Sequence, residues 1–492
     1  MMAGTTALPR LSRATLAKLP AGVARPDFDP ATLRTGIVHL GIGAFHRAHE
    51  AFHTEPLLAR TPEWGILGAS LQRPDTRDAL EPQDWLYTLA ERGPAGDRLQ
   101  VMAPLTGILV APEDPVALVR RLNDPAVRIV SITVTEKGYC RSGSELDEDH
   151  PDIRHDLAEP ARPKTVLGFL AASLRARRAA GTPPFTVLTC DNLPANGTTV
   201  HRLLTRFGAL VDPELGRFIA GEVACPSTML DRIVPATTDA DRAAISRAIG
   251  LEDAWPVVAE PFSQWVVEDR FPTGRPDWPA GGATLVGDVR PYEEMKLRLL
   301  NGSHSTIAYL GQLAGWASVA DAMAVPALAR QVAALMRESA ETLRLPAEID
   351  CPAYQRQLIE RFANPGLRHL TAQIAMDGSQ KMPQRLFAPA LDRVKRGQGA
   401  RRIALGVAAW LKFLQGRSDS GAALTVNDPL AERLTAAARG AGTPAALRDA
   451  IFAMSDLVPG DLATAAGFRA DVLEVLESLA ARGAAATVEG WN

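Results

Sequence analysis

Cysteine is scarce: four in 492 residues, Cys140, Cys190, Cys225 and Cys351, with no CxxC pair and no histidine at zinc-ligand spacing. That argues against a disulfide framework and a structural zinc site, and suits a reducing cytoplasm. Long apolar runs are missing as well. No stretch of about twenty apolar residues could span a bilayer, and the opening residues lack the apolar core of a signal peptide. Nor does one charge dominate. The 53 Lys and Arg face 56 Asp and Glu, a net charge of −3, and a pI near 6.3 leaves no general basic surface for nucleic acid. Repeats, heptads and low-complexity tracts are absent. The expectation is a cytoplasmic protein with small-molecule partners, no nucleic acid and no membrane, as a monomer or weak homo-oligomer. With 46% hydrophobic and 22% charged residues the chain is an ordinary globular one, and 492 residues suggest two or three domains.

The stretch YEEMKLRLLNGSH, residues 292–304, sets polar side chains in an apolar helical run. At about 100° per residue, Glu293, Lys296, Asn301 and His304 fall within an arc of roughly 140°. Leu300 and Ile307 share that arc, so the polar groups are expected to face a partly desolvated space where each needs a partner. The same spacing suits a lysine that snorkels from a surface helix ended by an ordinary Asn301-Gly302 turn.

Residues 1–33, rich in proline and alanine, read as a surface arm with a short helix. Then GIVHLGIGAFHRAHEAF (36–52) runs an apolar strand into Gly41-x-Gly43 and a helix. Such a turn can hold a dinucleotide: Gly41 permits the bend, Gly43 lets backbone N–H groups approach a pyrophosphate, and the helix start favours the anion. His46 stands where the third glycine of that fingerprint belongs, and a purely structural turn is the other reading. Further strand runs follow at 65–71, 127–135 and 185–190, separated by helical segments such as 164–180. That alternation implies a parallel sheet with helices on its faces. Polar clusters stand after three strands: Gln72 to Asp75, Thr135 to Tyr139, and Asp191-Asn192. Ligands bind beyond such strand ends, although polar loops also serve solubility. Turn residues near 272–282 mark a plausible junction, giving a domain at 34–287 and another at 288–492. The second reads as all-α, with helical periods at 319–342, 352–363, 401–417, 427–440, 443–455 and 462–482.

Six motifs in order, GIGAFHRAH (41–49), TEKGYC (135–140), CDNLPANG (190–197), STMLDRIVP (227–235), EPFSQWVVEDRF (260–271) and EEMKLRLLNGSH (293–304), resemble the long-chain polyol dehydrogenase family. That family includes mannitol 2-dehydrogenases and the fructuronate and tagaturonate reductases. The resemblance implies an α/β fold: an N-terminal Rossmann-type domain, a mostly α-helical C-terminal domain, and metal-free, nicotinamide-dependent alcohol/ketone interconversion in the cleft between them. It makes Lys296 the general acid/base, with Asn301, His304, Asn192, Glu293 and Asp231 carried over from matching positions. Asn192 and Asn301 would hold the developing oxyanion, Glu293 would relay a proton or oppose a lowered lysine pKa, and His304 would fix a substrate hydroxyl. On the cofactor side the candidates are Gly41, Gly43, Ala44, Phe45, His46, Asp75 and Glu136. NAD is the expected cofactor, with Asp75 as its ribose partner; Arg73 beside it keeps NADP open.

The segment NPGLRHLTAQIAMDGSQKMPQRL (364–386) resembles the fructuronate reductase version more than the mannitol dehydrogenase one. Arg368, His369, Lys381 and Arg385 could partner a substrate carboxylate, Arg368 first, although basic residues on helices are usually solvated. Gln373 replaces the arginine that mannitol-type members carry. The leading expectation is therefore reduction of D-fructuronate to D-mannonate. A neutral-polyol dehydrogenase and a non-catalytic nicotinamide sensor are the alternatives.

Overall fold

Successive side chains of the strand Thr35–Leu40 (β1) point to opposite faces, so Val38 and Leu40 enter one core while Ile37 enters another. The computed structural model describes residues 8–366 and 369–491, and the chain forms two compact units, Met1–Arg290 and Pro291–Asn492. In the first unit, β1 lies at the centre of five parallel strands. The others are Gly65–Ser70 (β2), Leu105–Val110 (β3), Ile129–Ile132 (β4) and Thr186–Thr189 (β5), in the order β3-β2-β1-β4-β5. This is the doubly wound dinucleotide-binding order, whose direction switches between β1 and β4. The expected Rossmann-type architecture is the observed one.

β1 runs through Gly41 into the short helix Ala44–Ala48 (α1). Helices Val166–Ala180 (α2) and Asn196–Val211 (α3) cover one face of the sheet, where Leu167, Leu170, Leu174, Val200, Leu204 and Phe207 meet Val38, Val130 and Val187. Tyr87, Trp265 and Trp278 pack with Ile37, Ile66 and Ile129 on the other. Each such side chain contributes about 1.5–3 kcal/mol relative to exposure.

Three parts of this unit depart from the sequence reading. β3 carries Gly107 in mid-strand, which interrupts its apolar run. The hairpin Tyr87–Gly93 with Gly96–Met102 contains Glu91, Arg92, Asp97 and Arg98, so charge conceals its period. The residues read as a surface arm are also packed. Leu11, Leu19 and Val23 are buried with Leu86, Val101 and Ile249, and the Val101 amide donates to the Ala24 carbonyl at 2.8 Å. A smaller sheet pairs Thr228–Asp231 (β6) antiparallel with Gln264–Glu268 (β7), which lies parallel to Thr284–Val286 (β8).

The second unit is helical. Among the described residues its only bridge pairs are Ser318 with Leu370 and Arg417 with Ala423. Gly302–Ala314 (α4) is buried along most of its length. Pro326 divides the 319–342 period into Val319–Met323 and Pro326–Ala340 (α5). Arg401–Phe413 (α6) approaches α4 closely, since a Cβ on Gly406 would lie 2.3 Å from Thr306 Oγ1. The last helix, Ala466–Gly490 (α7), kinks at Gly483, φ +77°.

Candidate active site

The two glycines after β1 differ in what they require. Gly41 has φ +98°, and a Cβ there would lie 2.1 Å from the Thr133 carbonyl oxygen, so the fold itself demands glycine. Gly43 is extended, φ −114° and ψ −173°, and a Cβ would make only an ordinary 3.7 Å contact with the Gly41 carbonyl. Nothing among the described residues requires glycine there; close approach of a ligand would. The turn is fastened to the end of β4, where Thr133 Oγ1 donates to the Gly41 carbonyl at 2.9 Å.

Ala44 and Phe45 open α1, and Phe45 stacks on His49 with ring centroids 5.2 Å apart. His46, expected to touch the cofactor, is turned inward: fully buried, it stacks on His39 at 3.5 Å. The helix period from Ala44 places its side chain toward the sheet, whatever the fingerprint suggests. Asp75 begins the helix Asp75–Leu80 after β2, half-exposed and 4.0 Å from Arg73. Glu136 sits on the 3₁₀ turn Glu136–Tyr139 and pairs with Arg141 at 2.9 Å.

Beyond β5 lies a clamp that the motifs did not disclose. Asp191 is buried and accepts the N–H groups of Val134 and Thr135 at 2.9 Å each, together with the Tyr139 hydroxyl at 2.7 Å. Thr135 is held at φ +66°, a conformation costly for a β-branched residue. Asn192 follows on the exposed part of the same loop. Asn196 fixes the loop from the other side: its amide donates to the Asp191 and Thr228 carbonyls, and its oxygen accepts the Thr228 amide at 2.9 Å. Asp231 is buried at the end of β6. Its neighbour Arg232 is buried against Glu91 at 2.6 Å and also donates to the Ala48 and Glu260 carbonyls, tying β6 to the hairpin and α1. Each of these groups finds its partner far away in sequence, so only a lone polar residue at a strand end could have hinted at them.

In the second unit, the helix Arg290–Met295 does not pass directly into α4. Lys296–Asn301 is a π-helical turn between them. Lys296 and Asn301 are five residues apart, about 140° in an α-helix but nearly one full turn in a π-helix, whose hydrogen bonds run i to i+5. The widened turn draws the two side chains toward one edge. Gly302 continues the helix, so no turn ends it there. Glu293 lies half-buried one turn before.

His304, on α4, is buried with its ring 4.6 Å from Phe362 and edge-on to His369 at 5.0 Å. Burial first, then the neighbouring charges, hold its pKa well below the usual range, so it is neutral at physiological pH. Burial lowers that of His369 too. The buried atoms Asn301 Nδ2, His304 Nε2 and His369 Nδ1 have no hydrogen-bond partner among the described residues. Buried polar atoms in that state mark a place where a ligand's hydroxyls could satisfy them.

Of the basic residues proposed for a carboxylate, Arg368 lies outside the described residues. Lys381 donates to the Ile374 and Met376 carbonyls, the latter at 2.6 Å. Arg385 lies on a second π-helical turn, Pro383–Phe387, and donates to the Ser305 hydroxyl at 3.1 Å and the Asn301 carbonyl at 3.4 Å. Burial lowers its pKa to about 10, yet no carboxylate pairs with it among the described residues. Gln373 is exposed.

Residues 35–280 match the mannitol dehydrogenase Rossmann domain and residues 288–480 the mannitol dehydrogenase C-terminal domain. The chain is 42% identical over 473 residues to D-mannonate oxidoreductase of Escherichia coli (strain K12), spanning 94% of this chain and 96% of that protein. It is 39% identical to mannitol 2-dehydrogenase of Aspergillus terreus (strain NIH 2624 / FGSC A1156), with 92% of each covered. The solved ternary complex of Pseudomonas fluorescens mannitol 2-dehydrogenase with NAD and D-mannitol has a TM-score of 0.85 at 37% identity, covering 98% of this chain and 99% of that one.

Proposed function

The chain belongs to the mannitol dehydrogenase family, whose NAD-dependent secondary-alcohol oxidoreduction it shares, and we propose that its substrate pair is D-fructuronate and D-mannonate. The Gly41 turn at the strand-order switch and the room at Gly43 fit a dinucleotide. NAD, when bound, supplies the hydride acceptor or donor. Lys296 takes the proton from the alcohol in oxidation and returns it in reduction. The Asn301 and Asn192 amides donate to the oxygen on which charge builds in reduction; loss of one such donor typically costs about 10²- to 10³-fold in rate. His304, neutral through burial, exchanges a hydrogen bond with a neighbouring substrate hydroxyl.

Arg385 carries the choice of a sugar acid. A desolvated guanidinium with no acidic partner among the described residues, anchored on Asn301 and Ser305, is matched by a substrate carboxylate, which accepts two parallel N–H bonds. Arg368 and His369 join it on sequence grounds. The 42% identity to a D-mannonate oxidoreductase supports the same reading.

NADH consumption with D-fructuronate and D-fructose side by side, repeated with NADPH, tests it. A kcat/KM for fructuronate higher by about 100-fold or more is expected. Equal or better use of fructose sinks the assignment and favours a second reading, a neutral-polyol dehydrogenase. The unpartnered Asn301, His304 and His369 atoms, which suit hydroxyls, and the similarity to mannitol 2-dehydrogenases support that second reading.

A further inference from the structure

Glu50, in the segment after α1, is a fully buried carboxylate whose two oxygens make no aligned hydrogen bond among the described residues. Two imidazoles flank it: His39 Nδ1, from β1, lies 3.2 Å from its Oε2, and His46 Nε2, from α1, lies 3.4 Å from the same atom. The rings stack at 3.5 Å with planes 20° apart. A dry carboxylate is tolerable only beside partners that can stabilise its charge, and these two imidazoles are the groups in reach.

His39 extends the contact into the turn. Thr133 Oγ1 gives its hydrogen to the Gly41 carbonyl, so at 2.8 Å it accepts from His39 Nε2–H. His39 Nδ1 is left to face Ser131 Oγ at 2.8 Å and Glu50. A line of polar contacts therefore runs from Glu50 through His39 and Thr133 to the Gly41 carbonyl, and a second runs through His46 into α1. Burial and the His39 charge lower His46 to about 4; burial pushes Glu50 up, but the two imidazoles more than offset it and leave it well below the usual carboxylate range. Both His39 nitrogens are engaged with the Ser131 and Thr133 hydroxyls, which disfavours that imidazole as a metal ligand.

We propose that Glu50 is a positioning residue for dinucleotide binding: by tying His39 of β1 to His46 of α1 it fixes the Gly41–Gly43 turn, doing with a charged contact what the third glycine of the fingerprint does by close packing. The inference rests on that turn being the cofactor site.

The test is the NADH dissociation constant of the full-length protein, measured by fluorescence without sugar, beside the melting temperature of the cofactor-free protein and the separate KM values. Glu50→Gln keeps the shape and removes the charge. It should weaken NADH binding by at least about 10-fold while the sugar KM changes less than about 2-fold. Should Glu50→Gln fail to fold, His46→Gln is read in the same way. Gly43→Ala separates the two levels of the argument. If Gly43→Ala weakens NADH binding and Glu50→Gln, folded, binds as wild type does, Glu50 has no positioning role. If Gly43→Ala binds NADH normally, the turn is not the cofactor site and both readings fall.

Discussion

Asp191 accepts the amide hydrogen of Thr135 at 2.9 Å across 56 residues of sequence, and so holds a non-glycine residue at φ +66°. Such a backbone costs roughly 1–3 kcal/mol and persists only where its surroundings enforce it. The enforcement consists of three donors on one carboxylate, and the loop so fixed is the one that presents Asn192.

Asp191→Asn replaces an acceptor with an amide that can satisfy only part of that set. We expect a loss of about 2–4 kcal/mol in urea unfolding. We also expect kcat to fall by about tenfold or more, since Asn192 loses its register. Unchanged unfolding and unchanged kcat together would show that the clamp does not support the site.

Gly41 and Gly43 should separate stability from binding. Gly41→Ala forces a Cβ to within 2.1 Å of the Thr133 carbonyl oxygen at φ +98°, and should cost about 3 kcal/mol or prevent folding. Gly43→Ala meets nothing closer than 3.7 Å. Its melting temperature should stay near wild type while the KM for NAD rises steeply. A destabilised Gly43→Ala that still binds NAD would reverse these roles.

The acid limb of stability should carry the mark of buried histidines. His53 Nδ1 contacts the Gly281 carbonyl at 2.8 Å and Nε2 contacts Ser263 Oγ at 2.9 Å. Burial lowers its pKa from 6.5 to about 4; the Gly281 hydrogen bond opposes that shift and the Arg232 charge adds to it. The unfolded chain binds this proton first as pH falls, so the stabilisation is present above pH 6.5 and is lost progressively down to about 4. His53→Gln cannot take up that proton and should give a flatter slope of unfolding free energy between those limits. An identical slope in the variant would show that His53 does not report there.

The strands β1, β2, β4 and β5 and the Gly41 turn were legible because a buried parallel strand is a plain apolar run with turn residues behind it. The hairpin was not, because Glu91 is apolar in placement only: it is buried by pairing with Arg232, a partner 141 residues away. The inward turn of the His46 side chain was not legible, because the fingerprint gives a position and not a side-chain direction. In the second unit Lys296, Asn301 and His304 stood out as polar residues in an apolar run, but the local backbone geometry was not legible. An arc drawn at about 100° per residue presumes an α-helix, and a π turn leaves no mark in the hydrophobic period.

Arg385 is where substrate choice becomes measurable. Its guanidinium is held by the Asn301 carbonyl and Ser305 hydroxyl, both neutral, and no described carboxylate matches its charge. Arg385→Gln keeps an amide donor for those partners and removes the charge. If a substrate carboxylate is the match, the fructuronate KM should rise about 10- to 100-fold, the range expected for losing a charge-assisted hydrogen bond, while kcat is largely kept. For a neutral ketose, which has no carboxylate to lose, KM should move by less than about 3-fold. An equal rise for both sugars would mean that Arg385 serves Asn301 and Ser305 as a brace, and the carboxylate would then have to be sought at Arg368 or His369. A fall in kcat alone, with both KM values unchanged, would place the fault at the Asn301 amide and separate oxyanion support from substrate recognition.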